Sequence, residues 1–94
     1  MSKTITKDKT EEKLDQIYSS GYVLYLHNDD HNSFQHVINC LIEFCDHDFD
    51  QANQCAHIVH FRGICDVKRG TKSEVEKPYE ALKLNGLSVT IEVV

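Results

Sequence analysis

The feature that most narrows the fold is the abrupt end of an apolar run. Tyr22-Val23-Leu24-Tyr25-Leu26 stops at His27-Asn28-Asp29-Asp30-His31, and an amphipathic stretch opens at about Ser33. The adjacent carboxylates of Asp29 and Asp30 repel each other and suit neither a strand nor a helix. They fit a turn, because Asn and Asp side chains bond nearby backbone, or a place where a cation comes to meet them. Taken alone, the tripeptide is most simply a solvated turn. Its position, between the end of a strand and the mouth of a helix, gives it a second use.

The elements that follow are read from periodicity and caps. Phe34, Val37, Ile38, Leu41, Ile42 and Cys45 recur as one helical stripe. Asn32, with Gln35 three residues on, reads as the N-cap and its reciprocal partner. Asp46-His47 breaks the stripe. Asp48 with Gln51 repeats the capping pattern and opens a second helix through Phe49, Ala52, Cys55, Ala56, Val59 and His60, which Gly63 closes. Ile64 to Arg69 alternates and reads as a second strand. Thr71 and Ser73, each with a Glu three residues later, compete to cap a third helix ending at Gly86. Pro78 lacks the amide that a helix ladder needs, so this helix is expected to start late, near Pro78, or to kink. Leu87, Val89, Ile91 and Val93 alternate with Ser88, Thr90, Glu92 and Val94 in a half-buried last strand. The order β-α-α-β-α-β packs as helices on one face of a small sheet.

Charge separates the chain into two parts. Residues 1–20 carry Lys3, Lys7, Lys9 and Lys13 against Asp8, Glu11, Glu12 and Asp15, with few large apolar side chains. Such a segment buries too little to offset its ordering, so a mobile tail is expected, with at most a turn of helix near Glu11 to Tyr18. The folded domain is then 21–94. The whole net charge of -5 belongs to it, and Gly21 to Phe61 holds no Lys or Arg. That surface repels a phosphate backbone and attracts a cation, which excludes nucleic acid as a partner. No apolar run approaches the roughly 18 residues of a membrane span and no signal peptide opens the chain, so a cytoplasmic protein is expected.

Cys40, Cys45, Cys55 and Cys65 form no CxxC pair and match no zinc pattern, so they read as core thiols, with Cys40 the one expected to face out of its helix. His57 and His60 have a spacing that suits a metal but lack a third ligand, and no cofactor is expected. His27, His31, His36 and His47 read as surface residues.

Together these residues resemble the ClpS family of protease adaptors. The resemblance covers Gly21 to Val94 and rests on Asn28-Asp29-Asp30 after the first strand, Val37 in the first helix, Val59-His60 closing the second, and Leu87 opening the last strand. It implies an α/β sandwich of the α+β class, whose three-stranded, mainly antiparallel sheet is covered on one face by three helices. It also implies a non-enzymatic adaptor that reads the first residue of a doomed protein, the N-end rule. Such an adaptor hands its cargo to the N-terminal domain of a Clp-family ATPase unfoldase coupled to a peptidase. The α-amino ligands would be Asn28, Asp29 and His60, with Asp30 close by. Leu26, Asn32, Phe34, Val37, Ala56, Val59 and Leu87 would line a pocket for the first side chain: Leu, Phe, Tyr or Trp.

The chemistry agrees with that implication. A free α-amino group is mostly an ammonium with three donors at neutral pH, so it calls for converging acceptors. Burying a Leu or Phe side chain adds roughly 1.5–3 kcal/mol, which suggests roughly micromolar binding. Ala56 and Phe34 stand where the family commonly has methionine, and Asn32 where it has threonine. Ala56 is expected to open space for Ile and Val as well, unless Phe34 refills it. Two rival readings are an enzyme built on Asp29, Asp30 and His60, which lacks an oxyanion site, and a generic interaction module akin to the ribosomal stalk domain.

Overall fold

The structure, a computed structural model, describes residues 21–94, so the expected tail lies outside the described residues. The elements run β1 (Tyr22–His27), α1 (Phe34–Phe44), α2 (Phe49–Arg62), β2 (Ile64–Gly70), α3 (Lys72–Leu84) and β3 (Ser88–Val93). The sheet order is β2-β1-β3 and both pairings are antiparallel, from Tyr22↔Gly70 to His27↔Ile64 and from Tyr22↔Val93 to His27↔Ser88. The apolar run of β1 suits this central place. Leu24 and Leu26 enter the core with Leu41, Val75 and Leu82, while Val23 is fully buried outside that cluster.

Local signals set most element ends. Asp48 caps α2 by accepting from the Gln51 amide at 2.7 Å, and Gly63 closes it at φ 91°, where a side chain would be strained. Thr71 outcompetes Ser73 because its capping box closes both ways: the Glu74 amide donates to its hydroxyl at 3.3 Å and its own amide donates to the Glu74 carboxylate at 2.9 Å. With that start secured, α3 begins at Lys72 and runs through the buried Pro78, which corrects the expected late start. The proline only removes the donor that would have met the Glu74 carbonyl.

Packing changed three other expectations. The N-cap of α1 is Ser33, whose hydroxyl accepts from the His36 amide at 3.1 Å; Asn32 is engaged elsewhere. Cys40, expected to face outward, is buried, while Ile42 of the expected stripe is 39% exposed. The cause is the end of α3, which comes alongside α1: the His36 imidazole bonds the Asn85 carbonyl at 2.9 Å and covers that side of the helix.

His47, expected at the surface, is only 7% exposed. Its Nε2 donates to the Val67 carbonyl at 2.9 Å, at the point where the β1–β2 register shifts and Val67 turns into the core. Replacing His47 with Leu would strand that carbonyl and is expected to cost roughly 1–3 kcal/mol in urea unfolding. An unchanged midpoint would show that water reaches Val67 instead.

Candidate functional site

The carboxyl end of β1, the loop to α1, the first turn of α1 and the second half of α2 surround a cavity of about 290 Å³. Its lining includes every residue singled out from the sequence: Asn28, Asp29, Asp30 and His60 on the polar side, with Leu26, Asn32, Phe34, Val37, Ala56, Val59 and Leu87. Two more residues join them, His27 and Ser33. Their signals were present in the sequence, as the last residue of the strand and the nearest hydroxyl before the helix.

Local and long-range hydrogen bonds together build the polar side. The Asn28 amide donates to the carbonyl of Gly63 at 3.0 Å, which draws the loop to the end of α2, where His60 stands. Asp29 then organises the loop. Its Oδ1 accepts from the amides of His31 (2.9 Å) and Asn32 (3.1 Å) and from the Asn32 side chain (3.0 Å). Its Oδ2 accepts from the same Asn32 side chain at 3.0 Å and from the Ser88 hydroxyl at 3.2 Å. The Asn32 side chain also donates to the Gly86 carbonyl at 2.9 Å, so one residue ties the loop to the turn before β3. Among the described residues, the side chains of Asn28, Asp30 and His60 have no hydrogen-bond partner within the protein, which leaves their acceptors open.

Partial burial pushes the Asp29 carboxyl up, but hydrogen bonds from the His31 amide, the Asn32 side chain and amide, and the Ser88 hydroxyl outweigh it and hold the group below its ordinary value. A depressed folded-state value means that Asp29 stabilises the fold in full above the unfolded carboxylate range and that this contribution fades as pH falls through the lower folded value. Acid unfolding should therefore be less steep below about pH 4 in Asp29→Asn than in the parent chain, as followed by circular dichroism. Equal slopes would show that the network adds nothing to the charged state.

The apolar side is made by packing. Leu26, Ala56, Val59 and Leu87 are buried, with Val37 half-buried beside them. Phe34 stands at the rim, 38% exposed, its ring edge-on to His57 (centroids 5.0 Å apart) and to His60 (5.4 Å). His57 bonds the Asn53 carbonyl through Nδ1 at 2.9 Å. Among the described residues no group of three or more His, Cys, Asp or Glu could hold a metal ion. Among the described residues, the arrangement offers unpaired acceptors and fixed negative charge on one wall and hydrocarbon on the floor. That suits a ligand with a cationic head and a short apolar branch.

Comparison with known proteins gives a consistent picture. The family described as "ATP-dependent Clp protease adaptor protein ClpS" matches residues 17–90. A ClpS adapter from Synechocystis sp. is 32% identical over 87 residues, covering 92% of this chain and 88% of its own length. One from Nostoc sp. is 31% identical over 91 residues, covering 92% and 89%. Among solved structures, Agrobacterium tumefaciens ClpS2 bound to L-phenylalaninamide superposes with a TM-score of 0.73 at 23% identity, over 81% of this chain and 99% of that one. At that identity the structural likeness speaks for the fold.

Proposed function

This chain belongs to the ClpS family of ATP-dependent Clp protease adaptors, and on that premise we propose that it captures substrates by the free α-amino group and the side chain of their first residue. The observation that carries this reading is the cavity itself, where the acceptors of Asn28 and His60, unpaired among the described residues, and the charged Asp29 border a floor of Leu26, Ala56, Val59 and Leu87. L-Phenylalaninamide, the compound bound to the structurally similar ClpS2, joins a free amine to an aromatic branch, which is the same chemical pairing.

In this reading the ammonium donates to the Asn28 carbonyl oxygen, to Oδ2 of Asp29 and to an imidazole nitrogen of His60. The Ser88 hydroxyl can turn away to leave Oδ2 with the Asn32 side chain as its one donor, whereas Oδ1 already holds three donors from the loop. Asp30, exposed beside them, faces the backbone of the second residue. An internal peptide N–H offers one donor and no charge, so it leaves acceptors unmet and is rejected. The first side chain, Leu, Phe, Tyr or Trp, enters the apolar floor. The loaded adaptor then delivers its cargo to the N-terminal domain of a Clp-family ATPase unfoldase, and roughly micromolar affinity suits a carrier that must release.

Acetylating the α-amino group of a fluorescent Leu-first peptide tests this directly. Fluorescence anisotropy should show binding weakened by at least about a hundredfold, since several charge-assisted hydrogen bonds are lost together. Equal binding of the acetylated peptide would identify a generic interaction groove instead.

A further inference from the structure

Cys55 and Cys65 differ from the other thiols. Cys55 is buried on α2, Cys65 is half-buried on the neighbouring β2, and their sulfurs lie 2.7 Å apart. Cys40 and Cys45 have no such partner, and burial pushes both thiols up, Cys45 to about 12, which leaves them unreactive. Within the pair the Cys55 thiol donates to the Cys65 sulfur. That bond and burial hold Cys55 protonated, while the same bond lowers Cys65. Cys65 is the more accessible of the two sulfurs, so a small reagent meets it first, and Cys55 lies within bonding reach of it.

The location gives the pair a role. Cys55 immediately precedes Ala56, and Cys65 is the ladder partner of Leu26, so each cysteine adjoins a residue of the cavity lining. We propose that Cys55 and Cys65 form a reversible disulfide that ties the pocket-bearing part of α2 to the sheet. The site itself stands on the sulfur geometry, while its effect on ligand binding rests on the proposed function.

The chemistry is ordinary thiol–disulfide exchange with a low-molecular-weight disulfide as oxidant. Cys65 gives its proton to solvent, and the thiolate attacks one sulfur of the small disulfide, forming a mixed disulfide and expelling one small thiolate. Cys55 gives its proton to solvent and attacks the Cys65 sulfur, which forms the internal bond and expels the second small thiolate. The protein loses two hydrogens and two electrons, and the small disulfide gains both as two thiols. The bond joins residues ten apart in sequence, so it removes chain entropy from the unfolded state. It also removes the freedom of α2 to yield when a bulky side group enters the cavity.

The test uses the full chain, equilibrated in buffers of reduced and oxidised glutathione and then alkylated and mapped by mass spectrometry. A Cys55–Cys65 link should form, be reversed by dithiothreitol, and be absent from Cys55→Ser and Cys65→Ser but present in Cys45→Ser. The oxidised protein should melt higher by on the order of 10 °C. It should bind a Phe-first peptide about fivefold more weakly than the reduced protein, as expected of a wall that can no longer relax. No link, or links scrambled among all four cysteines, overturns the site. A mapped link that leaves affinity within about twofold overturns the tie to the pocket. Absence of peptide binding in both redox states, with the link mapped in the oxidised protein, counts against the proposed function and leaves the disulfide standing.

Discussion

Replacing Asp29 with Ala is expected to weaken binding of a Leu-first peptide by at least about a hundredfold, close to 3 kcal/mol, while the protein remains folded. Two losses add. The first is the fixed negative charge proposed to face the ligand ammonium, a carboxylate that the hydrogen bonds from His31, Asn32 and Ser88 hold below its ordinary value. The second is the loop itself, because the amides of His31 and Asn32 and the Asn32 side chain all converge on this carboxylate. Freed of it, Asn28 would no longer be held beside the end of α2 by more than its backbone bond to Gly63. The core lies elsewhere, around Leu24, Leu41, Val75 and Leu82, so thermal unfolding should shift by only about 1–2 kcal/mol. Anisotropy titration beside a melting curve separates the two effects. A loss of less than about fivefold would mean that Asn28 and His60 hold the amine without Asp29.

The second large effect concerns which side chains enter the pocket. Ala56 is buried in the cavity wall, and Phe34, the residue placed to refill the space, has its ring turned edge-on to His57 and His60 at the rim. On that arrangement we expect the floor beneath Ala56 to admit a side chain that branches at Cβ, whose bulk sits near the mouth and whose rotamers are few. Ile-first and Val-first peptides should bind the parent chain within about tenfold of Leu-first, the range expected from a methyl group or two of buried surface. Ala56→Met should cost the β-branched peptides at least a further tenfold or so and Leu less, because an unbranched side chain can repack past the new methionine. Should Ile and Val bind the parent more than about a hundredfold more weakly than Leu, the wide floor does not exist.

The elements of this protein were legible because their signals are short-range. The strand that ends in acceptors, the Asp48 cap and the Gly63 terminus of α2 each depend on residues within about four positions of one another, and the structure has them where the pattern puts them. The residues that line the cavity were nameable together for a different reason: their resemblance to a family supplied what spacing alone could not. Periodicity offered Val37, Val59 and Leu87 merely as apolar positions. Pro78 misled because its local cost is real, yet the capping box at Thr71 and the burial of the proline outweigh it.

From the sequence alone came the order of the elements, the acidic and lysine-free character of the loop and first two helices, and the acceptors placed at a strand's end. Only the tertiary structure decided that Asn32 serves as a bridge to Gly86, 54 residues away, and not as a helix cap. It alone buried Cys40 beneath the end of α3, turned His47 inward to the Val67 carbonyl, and set Cys55 against Cys65. Each of those outcomes depends on which surfaces meet. A side chain with several possible partners takes whichever one the packed elements bring within bonding distance, and that distance is fixed only once the chain has folded.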